Sequence, residues 1–529
     1  PNYVPPHVHE FFEGKCSCGE TDPNYIPPHV HKYENYICEC GEVDPEYAYK
    51  NNLNPTGFNG NGMTYGIMVK DKSIVDPFDS NYEGINQALE QAHQKAVETA
   101  YNIKINYVEY DEDVASGHKQ AHYLVEGVFN QTLKEKNIFA VSTSSNYLKP
   151  LIKTCALVPL YDFNLETGYF VDCDYVQTSW IDAIVSKGGK VYAYHPGNIY
   201  PDSYLCYNAT KVKELGLEDP SEMWFKGEWT WDNFDSWVKS SSESLNSGEF
   251  VVDVRYADFL IGASSAQGIV LANQQRSVAQ LSKSVPCTIV NNMKTYNEMG
   301  YLNNNRGLDD ISNLFIQGDS LLHNGSTSIL KALNNNSDVN FEVGIVPYPL
   351  KNDSIVTVYT EAYTYVDSLG NTVSINSPLK NRDGEVIKTS DGKDVYGIDL
   401  SQTRFYTSLT TIDCYGLINY PGDGIDGLDT SIAFSILHDL KSKNILIKET
   451  TTINDSQSDS INKEVINSIS SKLYYDQINR ISFNTAYYKG SQYSLPIVIN
   501  DLVLSDKDTF EVLDEINHMY NELNYPIVW

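Results

Sequence analysis

The sequence predicts an α/β protein built from at least two domains, and three observations lead to that expectation. The chain has 529 residues, which is more than a single hydrophobic core usually serves. Hydrophobic residues make up 41% of it and charged residues 20%, a composition typical of folded globular proteins. From residue 62 onwards, short apolar runs alternate with helical patterns, which indicates βαβ units around a largely parallel sheet.

The first of these units occupies the region from residue 62 to residue 200. Residues 63–69 form an apolar run typical of a strand, and residues 83–101 repeat apolar side chains at helical spacing. Ligands of open α/β sheets bind beyond the carboxyl ends of the strands. The side chains at those positions are therefore candidate ligand contacts: Asp79, Ser142 and Ser144. Ser144 has an alternative role, because serine also caps the first turn of a helix.

The charge of the chain excludes several classes of partner. Asp and Glu outnumber Lys and Arg by 69 to 38, which leaves a formal net charge of −31. Nucleic acid is an unsuitable partner because phosphate binding depends on clustered cations. A polybasic membrane patch is excluded for the same reason. No apolar run reaches the length of a transmembrane helix, and the start at Pro1 without Met predicts a processed or trimmed chain.

Residues 1–50 contain a repeat that predicts two metal sites. Each copy has His-X-His, six intervening residues and then Cys-X-Cys-Gly, and the copies are offset by 22 residues. A hairpin turning at Gly14 or Asn35 would bring two imidazoles and two thiolates together, the tetrahedral set that suits structural zinc. The predicted ligands are His7, His9, Cys16 and Cys18 in the first copy, and His29, His31, Cys38 and Cys40 in the second.

Two alternatives to zinc stay open for this repeat, namely disulfides between the copies or a flexible tail with incidental His and Cys. The repeat resembles the His-X-His/Cys-X-Cys segments near the N-termini of secreted and lipid-anchored proteins of Gram-positive anaerobes. That resemblance implies a stalk between a cell-surface anchor and the main body. Residues 51–61 are rich in Asn and Gly and predict a linker.

The stretch of residues 194–237 holds four of the six tryptophans and a fixed order of elements. A strand leads to a Pro/Gly-broken crossing, a second strand ending at Asn208, a helix ended by Gly216, and a Trp-rich helix opening at Thr230. This order resembles the family 1 extracellular solute-binding proteins of ABC transporters, which include maltose- and oligosaccharide-binding proteins. Residues 315–325, 344–349 and 413–417 resemble later segments of that family.

The resemblance implies a two-lobe periplasmic-binding-protein-like fold of type II. Lobe 1 is expected to comprise residues 62–200 and 348–445, and lobe 2 residues 201–347 and 446–529. Crossings between the lobes are expected near residues 196–203, 346–349 and 445–465. Turn signals in residues 350–405 predict β-hairpins, which we expect as an insertion in lobe 1.

The resemblance also implies a function: capture of a carbohydrate in the inter-lobe cleft, followed by delivery to the membrane subunits of an ABC importer. It implies an extracellular, cell-surface-anchored protein of a Gram-positive bacterium that is not an enzyme. Expected ligand contacts near the crossings and in lobe 2 are Tyr200, Asp202, Tyr204, Trp229 and Tyr256, with Tyr415 opposite them in lobe 1. For Trp229 the alternative is a packing role at the start of the following helix.

Two other functions compete with carbohydrate capture. A surface structural or adhesive protein could retain the two-lobe scaffold and assemble through its exterior, since the chain has 39 tyrosines. A glycan-acting enzyme is the weaker alternative, because so many carboxylates are present that no catalytic pair stands out. The motifs G-X-S-X-G, P-loop and H-E-X-X-H are absent from the sequence.

Overall fold

The computed structural model describes most of the chain from residue 51 onwards and short pieces before it. The described residues are 11–12, 15–16, 31–34, 37–38, 44, 46–47, 51–82, 87–111, 114, 118–160, 186–187, 190–195, 201–273, 278–304, 311–366, 372–409, 411–420, 428–441 and 460–524.

Two short antiparallel strand pairs lie in the N-terminal repeat. Their strands are β1 (Phe11–Phe12) with β2 (Lys15–Cys16), and β3 (Tyr33–Glu34) with β4 (Ile37–Cys38). Cys16 pairs with Phe11 and Cys38 pairs with Tyr33. The two copies of the repeat therefore share one register, and both of these cysteines are buried.

The main body begins with a segment in which strands alternate with helices. Its elements are β5 (Met63–Val69), α1 (Lys72–Val75), α2 (Gln87–Tyr101), β6 (Ile103–Glu109), α3 (His118–Phe129), α4 (Thr132–Glu135), β7 (Ile138–Ser144), α5 (Ser145–Lys153), β8 (Ser186–Lys187) and β9 (Lys190–Val191). β5 pairs in parallel with both β6 and β7, as the alternation predicts.

The second segment forms a mixed sheet in the order β11–β14–β10–β15. Its elements are β10 (Tyr204–Asn208), α6 (Ala209–Glu214), α7 (Pro220–Phe225), α8 (Trp231–Ser244), β11 (Phe250–Asp253), α9 (Tyr256–Ala266), β12 (Ala272–Asn273), β13 (Val278–Ala279), α10 (Ser284–Glu298), α11 (Asn313–Gln317), β14 (Ser320–Gly325), α12 (Thr327–Asn335) and β15 (Val343–Val346). β10 runs antiparallel to β14 and β15, whereas β11 and β14 are parallel.

The third segment adds hairpins, completes the first sheet and ends in helices. Its elements are β16 (Thr357–Tyr359), β17 (Tyr363–Val366), β18 (Thr372–Ile375), β19 (Gly397–Asp399), β20 (Thr407–Leu409), β21 (Asp413–Leu417), α13 (Thr430–Lys441), α14 (Ser460–Ile469), β22 (Leu473–Tyr475), α15 (Ile478–Lys489), α16 (Leu495–Val503) and α17 (Thr509–Asn524). β21 pairs antiparallel with β7, which gives the first sheet the order β21–β7–β5–β6.

Two separate hydrophobic cores define two lobes. The lobe 1 core surrounds the first sheet and takes its buried side chains chiefly from residues 47–160, 193–194 and 409–440. The lobe 2 core surrounds the second sheet and takes its buried side chains from residues 204–350, 387–405 and 461–520. The C-terminal helices α14 to α17 therefore belong to lobe 2.

The insertion packs on lobe 2, which corrects the expectation that it belongs to lobe 1. Its buried side chains Ile387, Val395 and Phe405 lie in the lobe 2 core. The ring of Phe405 contacts that of Trp224 with 5.6 Å between centroids. The insertion follows β15 of lobe 2 directly. Its apolar side chains therefore pack on the adjacent apolar surface of lobe 2, which includes Trp224 on α7.

Because the insertion belongs to lobe 2, the chain returns to lobe 1 later in the sequence than expected. Residues 346–349, where a crossing was expected, stay in lobe 2: β15 pairs with β10, and Leu350 is fully buried in the lobe 2 core. The chain instead returns to lobe 1 between Phe405 and Leu409. There β20 pairs in parallel with β22, so two chain segments run side by side between the lobes.

Residues 51–61 form part of lobe 1, which corrects the expectation of a linker. Leu53 is buried in the lobe 1 core, and the backbone amide of Asn54 donates to the Asp439 carboxylate at 2.7 Å. Just before them, Tyr47 is fully buried, with its hydroxyl 2.9 Å from His93 Nδ1. Composition predicted a linker, but the buried side chains of Tyr47 and Leu53 pack this segment against lobe 1.

Candidate functional site

Lobe 1 presents one edge of its sheet to the region between the lobes. The carboxyl ends of the parallel strands β5, β6 and β7 lie at this edge, together with the start of the antiparallel strand β21. Ser142 on β7 pairs with Tyr415 on β21 in the antiparallel ladder. Tyr194 lies near the end of the first lobe 1 segment. It pairs with Tyr415 on the edge of β21 that faces away from β7.

Lobe 2 presents the corresponding edge of its own sheet. β10 starts there, and β11, β14 and β15 end there, because β10 is antiparallel to two of them and β11 is parallel to β14. Asp202 lies just before β10, and its carboxylate accepts a hydrogen bond of 2.8 Å from the amide of Thr327, just after β14. Arg255 follows β11 and forms an ion pair with Asp258 at 3.1 Å.

Asp202 lies close to charged groups of both lobes. Desolvation by the surrounding protein raises the pKa of its carboxyl to about 6, and the hydrogen bond from Thr327 opposes that shift. The negative charges of Asp413 in lobe 1 and Asp258 in lobe 2 raise it further. Asp202 therefore interacts electrostatically with carboxylates of both lobes. We call the region between the two sheet edges the inter-lobe cleft.

A cluster of tyrosines surrounds a lysine on the lobe 1 side. Lys441, the last residue of α13, places its ammonium 4.8 Å from the ring centroid of Tyr107 and 5.8 Å from that of Tyr415. These distances are typical of cation–π contacts. We call this group, together with Tyr82 and Glu90, the Lys441 cluster. Its tyrosines interact electrostatically with one another and with Glu90.

The pKa of the Lys441 ammonium is lowered to about 8. Desolvation is the main cause, and the carboxylates of Glu90 and Asp76 act in the opposite direction. Burial raises the pKa of the Tyr107 and Tyr415 hydroxyls, which keeps them protonated at neutral pH. The cluster thus combines one ammonium, carboxylates and tyrosine hydroxyls.

Three of the predicted lobe 2 contacts lie in the core and present almost no surface to the cleft. Tyr204 and Trp229 are 0% exposed and Tyr256 is 3% exposed. The indole N–H of Trp229 donates to the Pro347 carbonyl at 2.8 Å, and the Tyr256 hydroxyl donates to that of Asn303 at 2.6 Å. The polar atoms of Trp229 and Tyr256 are thus used inside the lobe, and Tyr204 is fully buried, so in this conformation these residues support the site instead of contacting a ligand.

The predicted lobe 1 contacts are distributed differently. Ser142 and Tyr415 lie together in the cleft edge, as described above. Ser144 caps α5, with its hydroxyl accepting from the amide of Asn146 at 3.3 Å, so the alternative role is the one observed. Asp79 is half-buried and its carboxylate accepts from the amide of Asn81 at 2.8 Å. Tyr200 lies outside the described residues.

The strand-end rule could have identified Tyr82 and Tyr107, because one follows β5 in sequence and the other lies near the end of β6. Lys441 carried no such signal. A lysine in the last turn of a helix is ordinarily a solvated side chain that complements the helix dipole. Its position beside two tyrosines depends on α13 packing against α2 and the sheet.

Most of the predicted metal ligands lie outside the described residues: His7, His9, Cys18, His29 and Cys40. Of the others, Cys16 and Cys38 are buried, and His31 stacks on Tyr33 with 5.8 Å between ring centroids. In the described part of the chain, no three potential metal-ligating side chains come together. None of the described helices is long and apolar enough to cross a membrane.

No protein-family model matches the sequence, and no curated protein matches it. Several solved structures match the fold. An ABC substrate-binding protein from Listeria monocytogenes in complex with cycloalternan is similar at a TM-score of 0.55 and 10% identity, with 87% of this chain and 99% of that chain covered. A cyclic α-maltosyl-1,6-maltose binding protein from Arthrobacter globiformis has a TM-score of 0.53 at 11% identity, covering 88% and 100%.

A third similar structure is UgpB from Mycobacterium tuberculosis in complex with glycerophosphocholine, with a TM-score of 0.53, 13% identity and coverage of 88% and 98%. These identities are low, but each comparison spans nearly the whole of the solved chain. The two cores, the two mixed sheets and the facing sheet edges agree with this similarity. The chain has the two-lobe α/β fold of the periplasmic solute-binding proteins.

Proposed function

We propose that the protein is an extracellular solute-binding protein that captures an oligosaccharide in the inter-lobe cleft and delivers it to the membrane subunits of an ABC importer. The observation that carries this proposal is the pair of facing sheet edges. Polar and tyrosine side chains line the lobe 1 edge, and Asp202, Thr327 and Arg255 lie at the lobe 2 edge. Two structures with the same fold are described as binding cyclic or maltose-type sugars.

The physical chemistry of the cleft favours a sugar. Sugar hydroxyls need closely spaced donors and acceptors, and burial between two lobes strengthens each hydrogen bond that replaces water. A ligand that contacts both lobes shifts the equilibrium towards the closed conformation. Asp202 suits such a contact, because it is an exposed residue close to charges of both lobes.

Thermal unfolding in the presence of oligosaccharides tests this function. We expect the cognate sugar, at 100 times its Kd, to raise the free energy of unfolding by about 2.7 kcal/mol. The measurement is a thermal-shift screen against linear and cyclic oligosaccharides, followed by titration calorimetry on those that give a shift.

A variant pair provides the control for that screen. Asp202→Ala should weaken sugar binding by about 10-fold or more, because it removes a charged hydrogen-bond acceptor from the cleft. Asp353→Ala removes an exposed carboxylate of the insertion that pairs only with Lys351 among the described residues, and it should leave the affinity unchanged. Equal loss in both variants would point to a general loss of stability.

One observation favours the alternative of a surface assembly protein. Three tyrosines form a row on the insertion: Tyr359 stacks on Tyr363 with 3.9 Å between centroids, and Tyr365, 42% exposed, follows at 6.1 Å from Tyr363. Such rings form adhesive surfaces. If no sugar shifts the unfolding transition and the protein self-associates in sedimentation experiments, the assembly role replaces sugar capture.

We further propose that the N-terminal repeat binds two structural zinc ions and forms a stalk towards a cell-surface anchor. The support is the shared register of the two hairpins, which places Cys16 and Cys38 at equivalent buried positions. Extending the second hairpin by two residues in the same register would set His31 opposite Cys40, where an imidazole and a thiolate could share one ion.

Native mass spectrometry checks the metal. We expect about two zinc ions per chain, because each repeat supplies four ligands that fill a tetrahedral site. A chelator should remove them and unfold the repeat while the two-lobe body keeps its thermal transition. Metal-free protein with the repeat cysteines oxidised would instead establish the disulfide alternative.

A further inference from the structure

The Lys441 cluster has hydrogen-bonding capacity that the described residues do not use. The Lys441 ammonium has three donors, and its one hydrogen bond among those residues goes to the Val75 carbonyl at 3.4 Å, which is long. The Tyr107 side chain is 2% exposed, and its hydroxyl has no hydrogen-bond partner in the described part of the chain. A buried polar group left in this state destabilises the fold.

The position of the cluster gives it access to the cleft. Tyr107 lies near the carboxyl end of β6, and Tyr415 pairs with Ser142 near the end of β7. Lys441, Tyr82 and Glu90 are all partly exposed. These three side chains therefore form a part of the lobe 1 wall that solvent and a ligand can reach, and Tyr107 is buried behind them.

We propose that Lys441 anchors a lobe 1 subsite that hydrogen-bonds the hydroxyl groups of an uncharged sugar ring and selects against sugars that carry a carboxylate. This proposal rests on the proposed function and names the class of sugar that the cleft takes.

The charges of the cluster account for this selectivity. A sugar hydroxyl both donates and accepts, and the cluster offers an ammonium that donates, a carboxylate that accepts, and tyrosine hydroxyls that do both. A ligand carboxylate would meet the negative charges of Glu90 and Asp76, that of Asp413 on the same lobe, and that of Asp202 across the cleft. These carboxylates outnumber the one ammonium of Lys441, so an uncharged ring is favoured over an acidic one.

The pH dependence of binding provides a readout that a purely structural lysine would not change. The lowered pKa of Lys441, about 8, means that the ammonium loses its proton in mildly alkaline solution, so affinity should hold from neutral pH to about pH 8 and fall above it. The other groups that face Lys441 leave this range clear: burial lowers the pKa of His93 to about 4, and it raises those of Tyr107 and Tyr415. The charged or titratable groups concerned are Asp76, Tyr82, Glu90, His93, Tyr107 and Tyr415.

The experiment is titration calorimetry with two sets of short oligosaccharides on the full chain. The sets are neutral (malto-, cello-, xylo-, manno- and cyclic gluco-oligosaccharides) and acidic (oligogalacturonides). We expect a neutral sugar to bind about 10-fold or more tighter than the acidic set. Tighter binding of the acidic set would overturn the proposal, and binding of neither set would overturn the proposed function together with it.

Three variants separate the role of Lys441 from the stability of the fold. Lys441→Met should weaken binding of the neutral sugar by about 10- to 100-fold. Lys441→Arg should keep the affinity and remove its decline above pH 8, because a guanidinium stays protonated there. Lys95→Met is the matched control, since Lys95 is an exposed lobe 1 lysine that lies over the ring of Phe78, and it should bind as the unchanged protein does.

Glu90→Gln covers the case in which Lys441→Met fails to fold. It keeps the shape of a partly exposed side chain and removes its negative charge, so the thermal transition should stay in place while affinity for the neutral sugar falls about 5-fold or more. Unchanged affinity in both Lys441→Met and Glu90→Gln, with binding by the unchanged protein, would overturn the subsite and leave the proposed function standing.

Discussion

Replacing Trp229 with alanine should lower the free energy of unfolding by about 3–5 kcal/mol. The side chain is fully buried, and its ring makes edge-on contacts with Phe234 and Trp237 at 5.5 Å and 6.1 Å between centroids. The substitution leaves a large cavity in the lobe 2 core and removes the donor to the Pro347 carbonyl. Chemical denaturation followed by tryptophan fluorescence and circular dichroism measures the loss.

The control for Trp229→Ala is Phe510→Ala in α17, where an aromatic side chain is 56% exposed. Its effect should stay within about 0.5 kcal/mol, as for most surface substitutions. Trp229→Phe should keep the affinity for a sugar, because the side chain supports the cleft from inside lobe 2. A Trp229 variant of ordinary stability that no longer binds sugar would instead show that the indole contacts the ligand.

The element pattern of lobe 1 could be predicted closely from the sequence. The predicted strand at residues 63–69 is β5, and the predicted helix end at Tyr101 is that of α2. Both signals are local: a short apolar run and a helical repeat of apolar side chains are visible without knowledge of tertiary contacts. The same local signals located α8, whose buried Trp231, Phe234 and Trp237 follow helical spacing.

The sequence did not reveal which lobe the insertion and residues 51–61 pack against, because this depends on contacts between residues far apart in sequence. Composition marks both regions as turn-rich. The insertion nevertheless packs on lobe 2 through Phe405 and its neighbours, and Asn54 is joined to Asp439, 385 residues away. A strong loop signal predicts the local conformation but leaves open which lobe the loop packs against.

The candidate site shows the same division between local and long-range signals. The strand-end rule identified Ser142, and the resemblance to solute-binding proteins identified Asp202 and Tyr415. Aromatic residues were expected to contact the ligand because of their type, yet Trp229 and Tyr256 are buried with their polar tips bonded to backbone carbonyls. Lys441 was missed because its surroundings come from α2, α13 and two strands at once.

Replacing Arg382 with alanine should lower the free energy of unfolding by about 3 kcal/mol. The guanidinium donates to the Asp219 carboxylate and the Tyr207 hydroxyl, both at 2.7 Å, and to the Asn462 amide oxygen at 2.9 Å. Its side chain is 10% exposed and that of Asp219 is 21% exposed, so solvent screens the pair only weakly. One residue of the insertion thereby joins three parts of lobe 2.

The variant should also expose the insertion to protease, because losing this anchor frees the hairpin between β18 and β19 from α7 and α14. Limited proteolysis followed by mass spectrometry should show cleavage within residues 372–399 before cleavage elsewhere. Lys388→Ala is the matched control: its partner Asp394 lies on the same hairpin, and both side chains are exposed, so the effect should be within about 0.5 kcal/mol. If Arg382→Ala is no less stable than this control, then the apolar contacts of Ile387, Val395 and Phe405 hold the insertion on lobe 2 by themselves.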